Sequence, residues 1–65
     1  MAELHLKAAR VNAGFTQKQV AEMLNISKNT VINYEKYRTT PDVETSKTLA
    51  ALYGLTVNDI IFFAE

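Results

Sequence analysis

A chain of 65 residues can hold one domain around one small core, because independent domains rarely fall below about 50 residues. Seven Lys and Arg balance seven Asp and Glu, and a net charge of zero argues against a nucleic-acid binder, because phosphate attraction normally shows as a basic excess, although distribution decides and not the sum. With no cysteine, neither a disulfide nor a cysteine-based metal site can staple the fold.

Met1 to Arg10 already carries Glu3, His5, Lys7 and Arg10. No apolar run is long enough for a signal-peptide core or a membrane span, so a soluble cytoplasmic protein without membrane contact is expected. The charges are unevenly spread. Lys18, Lys28, Lys36 and Arg38 fall in or just after the central stretch, whereas Asp42, Glu44, Asp59 and Glu65 lie toward the C-terminus.

From Glu3 to Ala13 the pattern is helical, with Leu6, Ala9, Arg10 and Ala13 on one stripe. Gly14 supplies a left-handed stop, and Phe15 anchors the corner. Thr16 with Gln19 forms a capping box, so a second helix runs from Gln17 to Met23 or Leu24 with Val20, Ala21 and Leu24 inward. Ala21 is small where two helices joined by a short turn must approach closely. Asn25 suits a positive φ, Ile26 plugs the corner and Ser27 caps a third helix.

Successive side chains of that third helix step by about 100°. Val31 and Tyr34 define its inward direction, while Asn29, Ile32, Asn33 and Lys36 cluster opposite, with Lys28 and Glu35 on one flank and Thr30 on the other. Short amides are poor helix formers, so an outward face of two asparagines edged by lysine is unusual for a surface that only meets solvent. Two short helices around a tight turn, with such a face on the second, describe a DNA-reading helix-turn-helix.

Lys36 to Pro41 reads as a loop. Asp42 caps a fourth helix reaching about Tyr53, with Val43, Leu49, Ala50, Leu52 and Tyr53 available for burial, and Gly54 ends it. Thr56 caps a last short helix with Asp59 in its first turn and Val57, Ile60 and Ile61 buried. Phe62 and Phe63 are consecutive, so one helix cannot bury both in the same small core.

The run T-Q-x-x-V-A-x-x-L-x-I-S-x-x-T-V-x-x-Y-E, Thr16 to Glu35, resembles the Cro/repressor-type (XRE-like) helix-turn-helix family of phage and bacterial regulators. Leu6-Lys7 and Arg10 through Gly14-Phe15 on one side, and Pro41, Thr45, Leu49-Ala50, Leu52, Gly54-Leu55 and Asp59-Ile60-Ile61 on the other, extend the likeness over nearly the whole chain. It implies a single domain, residues 1–65, with an all-α, compact, lambda-repressor-like fold of five helices. It also implies a dimer on a pseudo-palindromic operator with the third helix in the major groove.

The resemblance puts Lys28, Asn29 and Asn33 at base-reading positions. Lysine can donate to guanine, and asparagine can pair bidentately with adenine. Ile32 either touches thymine methyls or folds back over the domain edge. Gln17 matches a position that holds a phosphate or supports a base contact, and Lys36 and Arg38 match positions of phosphate contact; Ser27, Lys18 and Thr30 are grouped with them, Ser27 as a cap first. Arg10 and Glu35 match a pair that braces the third helix against the first, the alternative being two unrelated surface charges. If they pair, Arg10→Met is expected to leave the fold largely intact and weaken operator binding.

Three positions depart from the family pattern. Tyr37 stands where glycine is usual, so the cap is strained by about 1 kcal/mol or shaped differently. Ser46 replaces a usual leucine, and Arg38 is the only full charge between Tyr37 and Pro41. Leu55, Val57, Phe62 and Phe63 are the candidate dimer contacts, against fraying of the chain end.

One histidine far from any patterned serine or carboxylate supports no catalytic arrangement, metal site or cofactor. The reading is a non-enzymatic transcriptional regulator, in the first place a repressor, whose partners are double-stranded DNA and a second copy of the chain, with no small-molecule substrate evident. The alternatives are an antitoxin or immunity-region regulator of a mobile element, and a protein-interaction module that keeps the fold without reading DNA.

Overall fold

The computed structural model describes residues 3–62. Among them lie β1 (Leu4–His5), four α-helices, α1 (Leu6–Asn12), α2 (Gln17–Leu24), α3 (Lys28–Glu35) and α4 (Val43–Leu52), a single 3₁₀ turn (Val57–Asp59), and β2 (Ile60–Ile61). The helices enclose a core of Leu6, Ala9, Val20, Ala21, Val31, Leu49, Ala50, Tyr53, Ile60 and Phe62, onto which Phe15, Leu24, Ile26, Tyr34 and Leu55 pack.

Side-chain caps start α2, α3 and α4 as the sequence suggests. The Thr16 hydroxyl accepts from the Gln19 N–H at 3.1 Å while the Gln19 amide returns to the Thr16 N–H at 2.8 Å. Ser27 Oγ accepts from the Thr30 N–H at 3.1 Å, and Asp42 Oδ1 from that of Thr45 at 2.8 Å. Each bond satisfies a backbone donor that the first helical turn leaves without a partner.

All four helices end in one motif. A residue with positive φ follows the last turn: Gly14 at 85°, Asn25 at 57°, Tyr37 at 60° and Gly54 at 73°. The next N–H bonds back to a carbonyl five residues earlier, Phe15 to Arg10 (3.2 Å), Ile26 to Ala21 (2.9 Å), Arg38 to Asn33 (3.0 Å) and Leu55 to Ala50 (2.8 Å), which is the Schellman arrangement. After α1, α2 and α4 that next residue is apolar and packs on the core; after α3 it is the exposed Arg38. Tyr37 takes the strained of its two expected options, since a left-handed non-glycine residue costs about 1 kcal/mol.

The expected five-helix bundle is not what forms. The Thr56 N–H and hydroxyl both donate to Asp59 Oδ2, at 3.0 and 2.9 Å, closing one turn, after which Ile60 is extended. β-Branched Val57, Ile60 and Ile61 resist the costly step of starting a new helix, and an alternative partner is at hand. β2 pairs in parallel with β1, Leu4 opposite Ile60 and His5 opposite Ile61, so α1 begins at Leu6 and not at Glu3.

This pairing changes what is buried. Phe62 is 7% exposed within the core, so it offers no free surface for a dimer; the adjacent Phe63 lies outside the described residues. Val57, expected inside, is 40% exposed, and Val43 is 69% exposed. Ile61 is half-buried. Ser46 is buried, its hydroxyl donating to the Pro41 carbonyl over a long 3.4 Å.

Candidate nucleic-acid interface

α3 is held from behind by buried Val31 and half-buried Tyr34, and by one ion pair. Arg10 Nε donates to Glu35 Oε2 at 2.6 Å and Nη2 to Oε1 at 3.3 Å, a two-point contact that fixes direction as well as distance. Arg10 Nη1 also donates to the Phe15 carbonyl at 2.8 Å, and the two side chains are 9% and 6% exposed. Gln17 Nε2 completes the cluster by donating to Glu35 Oε1 at 3.0 Å. The first residue of α2, the buried face of α1 and the last residue of α3 therefore meet at one carboxylate.

Tyr53, at the end of α4, borders this cluster. Burial pushes its phenol up to about 12, the Glu35 charge adding to the shift and Arg10 opposing it. Its ring lies 6.3 Å from that of Phe15.

On the outward side Lys28, Asn29, Lys36 and Arg38 are exposed, and Ile32 and Asn33 are half-buried. Lys18 is exposed on α2. Ser27 and Thr30 share a 2.8 Å bond between their hydroxyls, so both side chains are engaged in capping α3. Gln17, grouped with the phosphate contacts, turns one amide proton inward to Glu35; the second proton of that amide is what remains for another acceptor.

One residue had no functional role in the sequence reading. The Tyr37 hydroxyl donates to the Ile61 carbonyl at 3.2 Å and lies within hydrogen-bonding distance of His5 Nδ1. The signal was its place at a glycine-favoured corner; its partners stand 24 and 32 positions away and have no local pattern.

Among the described residues no helix is long and apolar enough to cross a membrane. A family model described as helix-turn-helix matches residues 6–60. The chain is 43% identical over 56 residues to the HTH-type transcriptional regulator ImmR of Bacillus subtilis, a match covering 86% of this chain and 44% of that protein. It is 32% identical over 60 residues to the cryptic phage CTXphi transcriptional repressor RstR of Vibrio cholerae, covering 92% and 54%. Against the HTH-type transcriptional regulator DdrOP3 of Deinococcus deserti, 36% identity over 56 residues covers 86% and 43%. The chain thus spans about half the length of these relatives. With a braced α3, a left-handed Asn25 corner and a family match over residues 6–60, the chain belongs to the XRE-like helix-turn-helix family of regulators.

Proposed function

We propose that this chain is a sequence-specific repressor that binds a pseudo-palindromic operator as a dimer. The observation that carries the reading is the α3 face, exposed Lys28 and Asn29 with half-buried Ile32 and Asn33, on a helix whose direction is fixed by Arg10 and Glu35. In the major groove, Asn29 and Asn33 supply donor and acceptor pairs suited to adenine, Lys28 donates to guanine, and Ile32 meets thymine methyls. Lys18, Lys36 and Arg38, the capping hydroxyls of Ser27 and Thr30, and the outer amide proton of Gln17 serve the phosphates.

Two copies set α3 helices about 34 Å apart in successive major grooves, and the bound dimer blocks polymerase by occupying its site. Exposed Val57 beside half-buried Leu55 supplies the contact between copies. The name of the Vibrio relative, a cryptic phage repressor, favours control of a mobile element as the setting.

Selection of bound sites from a random duplex library tests the whole reading. The expected outcome is an inverted repeat with half-sites one helical turn apart, bound with a steep salt dependence. No enriched sequence, and no retention on duplex DNA even at about 50 mM salt, would leave the fold serving protein contacts instead.

A further inference from the structure

Tyr37 joins three parts of the chain that are distant in sequence. Its backbone ends α3 in the left-handed conformation, while its side chain reaches the two strands. The phenol oxygen donates to the Ile61 carbonyl and meets His5 Nδ1, and the His5 and Tyr37 rings stand edge to face with centroids 5.7 Å apart. His5 and Ile61 are opposite one another in the β1–β2 pair. One side chain therefore grips both strands at the same rung. A phenol has one proton to give; with it on the Ile61 carbonyl, His5 supplies the N–H of the other bond.

The turn that Tyr37 fixes bears candidate DNA-contacting residues. The Lys36 N–H bonds to the Ile32 carbonyl at 2.9 Å and the Arg38 N–H to the Asn33 carbonyl at 3.0 Å, so the two cations are hung from the carbonyls of Ile32 and Asn33. Arg38 also lacks the apolar anchor that holds the following residue at the other three helix ends. The tether to the rung stands in for that anchor.

We propose that Tyr37 is a positioning residue for DNA binding. By tying the last turn of α3 to the His5–Ile61 rung, it sets the direction from which Lys36 and Arg38 meet the phosphates. The proposal rests on the reading of α3 as the DNA-contacting helix.

The test compares wild type, Tyr37→Phe and Leu49→Val in the full chain, at a temperature where circular dichroism shows all three folded. Tyr37→Phe removes only the hydroxyl; Leu49→Val loosens the core within α4 and leaves the tether intact. Affinity for the library-selected duplex is read by fluorescence anisotropy across a salt series. Tyr37→Phe is expected to bind about fivefold more weakly with a salt slope shallower by about one, and Leu49→Val to bind as wild type does. Wild-type affinity and slope in Tyr37→Phe overturn the proposal, as does an equal loss in Leu49→Val, which would make the role one of general stability. Salt-independent or absent binding by the wild type overturns the DNA reading itself, and the proposal with it.

Discussion

Gln17 and Glu35, the first residue of α2 and the last of α3, are joined by a 3.0 Å bond from amide to carboxylate. Both helices of the motif are thereby referred to the group that Arg10 holds from α1. A carboxylate this buried is tolerated because three donors meet it, and the arrangement is sensitive to losing any one of them.

Arg10→Met illustrates that sensitivity and revises the expectation of a largely intact fold. It strands Glu35 without its cation, and such a loss costs about 3–5 kcal/mol, most or all of the stability of a domain this small. Urea unfolding is expected to find the single variant largely unfolded at 25 °C. The double variant Arg10→Met, Glu35→Leu should regain most of the loss, since no charge is then left buried. A single variant as stable as wild type would show that Glu35 is adequately solvated.

Asn25 tests the corner of the motif. At φ 57°, Asn25→Ala is expected to lower stability by about 1 kcal/mol, whereas Asn25→Gly should be close to neutral. Thermal unfolding distinguishes the two; equal losses would mean that the side chain and not the backbone conformation matters.

Tyr53 predicts the alkaline limit. Its folded value of about 12 lies above the ordinary 10.0, so the neutral phenol is favoured by folding. The stabilisation is full below about pH 10 and is lost as pH rises toward the folded value. In urea midpoints measured from pH 8 upward, wild type should fall more steeply than Tyr53→Phe, the gap opening above about pH 10. Parallel curves would contradict the burial argument.

Asp42 and Asp59 predict the acid limb. Hydrogen bonds from the backbone N–H of Thr45 and of Thr56 hold both carboxyls below the usual 3.8. Their stabilisation is present above about pH 3.8 and is lost as pH falls through the lower folded values. Asp42→Asn and Asp59→Asn keep a capping acceptor but cannot titrate, so each should flatten the fall in urea midpoint between about pH 5 and pH 2. An unchanged slope in both would assign acid unfolding to other groups.

The local features were legible because they obey short-range rules. Thr16 with Gln19, Ser27, Asp42, Gly14, Asn25 and Gly54 mark helix ends by backbone chemistry within a few residues, and the 100° step separates Val31 and Tyr34 from Asn29 and Asn33. The Arg10 and Glu35 pairing entered only through family resemblance, since no local spacing joins positions 25 apart. Only the tertiary structure decided the fate of the two ends. Leu4-His5 and Ile60-Ile61 are each too short to announce a strand, and they become one only against each other, which turns a predicted fifth helix into a single turn, buries Phe62 and gives Tyr37 its rung. Pairing between chain ends depends on a partner more than 50 positions away, and propensity read along a sequence carries no information about who that partner is.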